Sequence, residues 1–256
     1  MFTKNDYKFK NVDDKKIGYF ISRLDQYDYN LIRDTVEKHF KELIKKDQKN
    51  KSSDINFLNY LEEFDQSDHI NLFTKKNRIL PKDYLYLLLE KLNLFKNLKE
   101  IFPDFKITDE ENIGYGNFYW RLVRPFPNKD VGTMHKDKWF WDLGTGKMDN
   151  IKYKRYKLWI SIHGENKLGF KFVPGSADLN LKYDYKIADG KKKPVLDERS
   201  LESSQITSLT GEKGTYIIFN DELLHGGEIL KNNFPRVSIE CTFQTLRFSK
   251  NSPQNI

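Results

Sequence analysis

The sequence predicts a mainly β fold behind a helical N-terminal layer, on three observations. The chain has 256 residues, enough to bury a sizeable core. Apolar residues in its first hundred positions recur at helical spacing. After about residue 113 the pattern changes to short β-branched and aromatic runs separated by Gly, Pro, Asn and Asp. Many short strands of this kind suggest a sandwich or a barrel.

Composition narrows the class. Hydrophobic residues make up 38% of the chain, charged residues 32% and aromatic residues 14%. That aromatic content argues against a disordered chain. No stretch approaches the roughly 18 apolar residues of a membrane span. Met1 to Lys16 is polar and charged, without an apolar signal-peptide core. The single cysteine, Cys241, excludes an internal disulfide and a cysteine-rich zinc site. A cytoplasmic protein is expected. The net charge of +7 comes from basic residues interleaved with Asp and Glu. That reads as a solubilising surface and argues against a nucleic-acid partner. Nothing in the sequence indicates an oligomeric state.

Taken in order, Leu31, Ile32, Val36, Phe40, Leu43 and Ile44 lie on one face of a first helix. The polar run from Lys45 to Asp54 ends it. Pro81 suits the first turn of a second helix, with Leu85, Leu88, Leu89, Leu92 and Phe95 as its stripe and Pro103 as its stop. Strands are expected at Asn117–Arg124, Thr133–Lys138, Lys157–His163, Phe170–Pro174, Thr215–Asn220 and Arg236–Thr245. From Leu158 to His163 the Leu and Ile side chains share one strand face, and Trp159, Ser161 and His163 share the other. The polar stretch 178–212, with Lys191, Lys192 and Lys193, is long for a connection. It reads as a lid or an insertion, with the three lysines solvated. The whole chain, 1–256, reads as one domain, with 1–112 as the helical layer and 113–248 as the β core.

Five histidines are present. His39 sits on the first helix and reads as packing or surface; His69 lies in a polar, loop-like stretch. His135 differs, because Asp137 follows it at i+2 and the two would share a strand face. Alone, that pair is as readily a hydrogen bond at a strand end. His225 follows the apolar run Gly214–Phe219 and precedes Gly226 and Gly227, which let the backbone pass close to a bulky neighbour. Two histidines and one carboxylate form a facial set suited to non-haem Fe(II). Arg236 lies eleven residues after His225, with Ser238 on the same face. A guanidinium and a hydroxyl are what a distal carboxylate of a small acid would need.

In this order the motif resembles the Fe(II)/2-oxoglutarate-dependent oxygenases, and within them the phytanoyl-CoA dioxygenase-like family. Leu158-Trp159-Ile160 looks like the family strand whose Trp lines the cosubstrate pocket. Phe172-Val173-Pro174-Gly175-Ser176 is similar to its V-P-G-S-H run, with Ala177 in place of His. Gly214 to Phe219 looks like the strand before the distal histidine, with Thr215 where Asp is frequent. The likeness covers about residues 115 to 247. It implies a double-stranded β-helix of the jelly-roll, cupin-like kind, with the helices packed on one sheet. His135, Asp137 and His225 carry over as iron ligands. Arg236 carries over as the 2-oxoglutarate anchor, with Ser238 and Trp159 as weaker transfers. Gly227 stands where a serine is common and receives no role. The implied reaction is hydroxylation of an unactivated C–H bond by O2, with 2-oxoglutarate converted to succinate and CO2. Asp137 occupies the position that related halogenases leave to halide, which favours hydroxylation.

Cations beside aromatics suggest a small anionic substrate: a sugar or glycan precursor, or a carrier-linked acid. Its expected contacts are Arg121, Lys138, Trp139, Trp141 and His163. Against this, the aromatics could simply pack beneath a loop. A cupin-type metalloenzyme without 2-oxoglutarate, or a jelly-roll glycan-binding module, are the alternatives for the whole chain.

Overall fold

The structure is a computed structural model that describes residues 11–47, 55–125, 130–144, 153–164, 166–188, 190–196, 201, 205–230 and 234–246. Antiparallel strands dominate it. A large sheet is built from β1 (Tyr19–Arg23), β2 (Lys106–Ile107), β3 (Phe118–Val123), β4 (Tyr153–His163), β9 (Thr215–Asn220) and β11 (Arg236–Leu246). The order is β1, β9, β4, β11, β2, and β3 joins the same edge of β11 beside β2. A smaller sheet pairs β5 (Lys167–Phe172) with β8 (Thr207–Thr210) and with β10 (His225–Gly227). A separate hairpin joins β6 (Asp184–Ala188) and β7 (Lys191–Val195).

The large sheet is apolar on both faces, and each face has its own cover. On the outer face, Leu158, Ile160 and Ile162 of β4 lie beside Val237, Ile239, Cys241 and Phe243 of β11. They pack in one core with Ile32, Val36 and Phe40 of helix α1 (Gln26–Asp47). On the inner face Trp159, Ile217 and Phe219 meet Leu168, Phe170 and Phe172 of the small sheet. The Trp159 and Phe170 rings are 5.2 Å apart, and those of Phe170 and Phe219 are 5.5 Å apart. Two facing antiparallel sheets with helices on one of them are the architecture expected from the sequence. The alternation expected from Leu158 to His163 follows directly from the pleat.

The departures have identifiable causes. The stripe expected as one helix after Pro81 is two, α4 (Lys82–Lys91) and α5 (Asn93–Ile101), following the short helices α2 (Tyr60–Glu63) and α3 (Gln66–Leu72). Leu92 is extended between them, with φ −67 and ψ 129. Asp28 of α1 supplies the reason: its carboxylate accepts from the backbone N–H groups of Asn93 and Leu94 at 2.9 and 2.7 Å, capping α5 from outside. The first hundred residues also hold β1, which completes its ladder only against β9. Residues 178–212, expected as a lid or an insertion, hold β6, β7 and β8. Lys191 to Lys193 lie on β7 rather than on a loop, although they remain solvent-facing. No helix among the described residues is long and apolar enough to cross a membrane.

His69 belongs to α3 rather than a loop. It is buried, and its Nδ1 lies 3.1 Å from the Tyr60 hydroxyl. His39 is buried too, 3.0 Å from the Trp120 indole nitrogen. Burial pushes both histidines down from 6.5 to about 4. The unfolded chain therefore takes up two protons, as pH falls below about 6.5, that the folded chain refuses until about 4. Their contribution to stability is full above that window and lost on the way down through it. Urea midpoints measured across the window are expected to fall steadily with pH; a flat profile would contradict this account.

Candidate metal centre

His135, Asp137 and His225 come together, but not by the route the sequence suggests. The stretch Thr133–Lys138 is not a strand. His135 forms one isolated antiparallel bridge with His225, each backbone N–H donating to the other's carbonyl at 2.8 and 2.9 Å. Asp137 then opens a short helix, α6 (Asp137–Asp142). The bridge and the turn into α6 bring the pair together where the pleat was expected to do so. Gly226 and Gly227 permit the close approach: a Cβ on Gly227 would stand 2.6 Å from Val131, and one on Gly226 would stand 3.2 Å from the Met134 backbone.

Proton positions follow from the partners. Nδ1 of His135 lies 2.8 Å from the Thr133 carbonyl, and Nδ1 of His225 lies 3.0 Å from the Leu223 carbonyl. A carbonyl can only accept, so each Nδ1 carries a proton, and each ring in its neutral form offers its Nε2 lone pair. Both lone pairs face Asp137 Oδ1, at 3.6 Å from His135 and 3.9 Å from His225. Burial pushes the His225 imidazole down to about 4, which keeps it neutral. Burial pushes the Asp137 carboxyl up, but the cationic Lys157 leads the groups that outweigh it and hold it well below the usual carboxylate range. The second oxygen, Oδ2, is buried without a hydrogen-bond partner among the described residues. Ligand atoms of the three residues lie within 4.8 Å of one another. Two lone pairs and a carboxylate facing each other without a proton between them call for a cation. Two imidazoles and one carboxylate suit Fe(II). These residues therefore fit the metal.

Arg236 supports the other half of the expectation. It opens β11, is 4% exposed, and lines the same cleft as the triad. Its guanidinium carbon lies 5.9 Å over the Trp159 ring. Its Nε has no hydrogen-bond partner, and no carboxylate among the described residues is within ion-pair distance. Burial, with Arg121 adding to it, lowers the guanidinium to about 10, so it stays charged near neutrality. A buried charge without a counter-ion is costly unless a ligand supplies one, and a dicarboxylate fits that requirement.

The remaining residues divide. Trp159 and Arg121 line the cleft. Ser238 is buried opposite Ser161, and His163 is half-buried opposite Val237; neither is among the residues lining it. Lys138, Trp139 and Trp141 do not face it. The helical turn of α6 carries Trp139 onto Tyr183, with rings 4.4 Å apart, and Lys138 onto Glu222 at 2.6 Å. Trp141 is buried beneath the Arg155 guanidinium. Of the aromatics in α6, Phe140, between the two tryptophans, reaches the triad, edge-on to His135 at 5.2 Å. Sequence reading missed Lys157, Gly169 and Glu240, all of which line the cleft. The signal for two of them was present: Lys157 alternates with Trp159, and Glu240 with Arg236 and Ser238.

No family model matches the chain, and no curated protein matches it in sequence. Solved structures do. EvdO2 from Micromonospora carbonacea var. aurantiaca complexed with 2-oxoglutarate aligns with a TM-score of 0.59 at 12% identity, over 99% of this chain and 95% of that one. EctD from S. alaskensis in its apo form gives 0.53 at 14% identity, over 99% and 82%. SnoK, a non-heme alpha-ketoglutarate-dependent carbocyclase from nogalamycin biosynthesis, gives 0.52 at 9% identity, over 98% and 88%. At such identities the likeness is one of fold: this chain has the double-stranded β-helix of those proteins.

Proposed function

We propose that the chain is a non-haem Fe(II)/2-oxoglutarate-dependent oxygenase. Its reaction is hydroxylation of an unactivated C–H bond in a small anionic metabolite, such as a sugar or glycan precursor or a carrier-linked acid. One observation carries the reading: a triad of acceptors that needs a cation shares a cleft with a buried guanidinium that needs an anion. Two structures with this fold hold 2-oxoglutarate, which agrees with it.

Bound iron would supply the power to cleave a strong C–H bond with O2, and 2-oxoglutarate the electrons. The chain's own residues would do the rest. The Thr133 and Leu223 carbonyls fix both imidazoles with Nε2 forward. Asp137 contributes a negative charge that stays ionised. A facial set of three ligands leaves the opposite positions open for cosubstrate and oxidant. Arg236 holds a carboxylate through paired N–H donors. Trp159 and Phe170 wall the cleft and keep water from it.

An anaerobic titration tests the reading. Metal-free protein receives Fe(II), then 2-oxoglutarate, and visible absorption is followed. A weak charge-transfer band from the chelated keto acid is expected. Folded protein that binds iron without the band would turn the assignment to a cupin-type metalloenzyme; folded protein that binds no iron would turn it to a binding module.

A further inference from the structure

We propose that Lys157 anchors an anionic group of the organic substrate, a carboxylate or a phosphate, beside the metal ligands. This rests on the oxygenase reading and gives it a substrate contact that the sequence did not single out.

Lys157 lies on β4 two residues before Trp159, so both side chains face the cleft. Thr242 stands opposite it on β11. The Thr242 hydroxyl donates its proton to Glu110, which leaves a lone pair to accept from the Lys157 ammonium at 3.4 Å. An ammonium has three N–H donors, and this is the one hydrogen bond it makes among the described residues. No carboxylate among them is within ion-pair distance. The group is nevertheless a permanent cation. Burial pushes its pKa down, but Asp137, Glu110 and Glu240 outweigh it and raise it above the ordinary lysine value.

The other charges lining the cleft have partners or assigned ligands. Arg121 pairs with Glu240 at 3.4 Å. Asp137 faces the two histidines. Arg236 is the cosubstrate anchor; its backbone lies six residues upstream of Thr242 on β11, and its guanidinium reaches over the Trp159 ring at 5.9 Å. Lys157 and Arg236 therefore enter the one cleft from different backbone positions. Lys157 is left with donors to spare and no direct counter-ion. Loading the metal sharpens the imbalance. A divalent cation held by the triad would offset the charge of Asp137 and place positive charge beside Lys157. An anion arriving there restores neutrality in a poorly solvated site. Lysine offers a compact single-point contact suited to a carboxylate or a phosphate. A substrate pinned by such a group would present a C–H bond a few bonds away to the metal.

The test uses the anaerobic Fe(II)–protein saturated with 2-oxoglutarate, with inorganic phosphate as the probe and the charge-transfer band as the readout. Phosphate is expected to perturb the band saturably in the wild type. In Lys157→Met its affinity should fall about tenfold or more, the size of a lost charge-assisted contact, with partial recovery in Lys157→Arg. The 2-oxoglutarate affinity should stay within about twofold in both variants, which also shows them to be folded. Equal phosphate response in wild type and Lys157→Met, or none in the wild type, overturns the proposal. So does a tenfold loss of 2-oxoglutarate affinity in Lys157→Met, which would assign Lys157 to the cosubstrate. Absence of the band from the wild type is a different result: the cofactor reading itself fails, and this inference with it.

Discussion

Gly169→Ala is expected to weaken 2-oxoglutarate binding by about tenfold to a hundredfold while leaving the iron ligands in place. Gly169 sits on β5 with φ +73, a conformation that disfavours any side chain. The larger effect is steric. A Cβ there would lie 2.4 Å from Cδ and Nε of Arg236 and 3.0 Å from Cζ. The guanidinium therefore rests directly on the glycine backbone. Arg236 can yield by rotating, but only by leaving the place where it meets a carboxylate. Losing hydrogen bonds to a charged partner costs about 1.5–3 kcal/mol, which corresponds to the stated range. Gly190→Ala is the control. It has φ +70 but nothing within 4 Å of its Cβ, so it suffers the same backbone strain without touching the cleft. Fe(II) affinity should be unchanged in both variants. Calorimetric titration of each with 2-oxoglutarate decides the matter; equal affinities in the two variants would remove Arg236 from the cosubstrate site.

The candidate residues most legible in the sequence are those whose chemistry is tied to residue type and order. His135, Asp137, His225 and Arg236 could be singled out because few other side chains bind a metal or a carboxylate in that arrangement. The faces of β4 were equally legible, since the pleat alone sets them. What stayed hidden depends on partners far away in the chain. The break at Leu92 comes from Asp28, 65 residues from Asn93. Tyr19–Arg23 becomes a strand because β9 offers it an edge. The strand expected over Thr133–Lys138 gives way to a helical turn from Asp137, favoured once Lys138 donates its backbone N–H to the Asp221 carbonyl. That turn redirects Trp139 and Trp141, which is why the expected aromatic cradle for a substrate packs elsewhere. Lys157 and Glu240 were on a predicted inward face. Their presence in a cleft was not legible, because it requires Glu110, Arg121 and Asp137 from three other segments.

Asp137→Asn is expected to abolish metal-dependent stabilisation without unfolding the protein. The substitution keeps shape and volume but removes the charge that offsets a divalent cation. In its place it puts an amide N–H that can donate to a histidine Nε2, at a position where the carboxylate now stands 3.6 and 3.9 Å from two lone pairs. The metal-free variant thus exchanges an acceptor facing acceptors for a donor facing them, against which Lys157 loses one of its three compensating carboxylates. For the wild type, metal at a hundred times its Kd adds about 2.7 kcal/mol of stability, or roughly 5–11 °C in Tm for a chain near this size. In Asp137→Asn that increment should vanish, and the charge-transfer band with it. His225→Ala should lose both as well, but it removes a buried ring stacked on Phe170, with centroids 5.6 Å apart, so its metal-free Tm should also fall. Thermal melts of the three proteins with and without Fe(II) under anaerobic conditions separate the two effects. A metal-induced rise that survives in Asp137→Asn would place the cation somewhere other than between these three side chains.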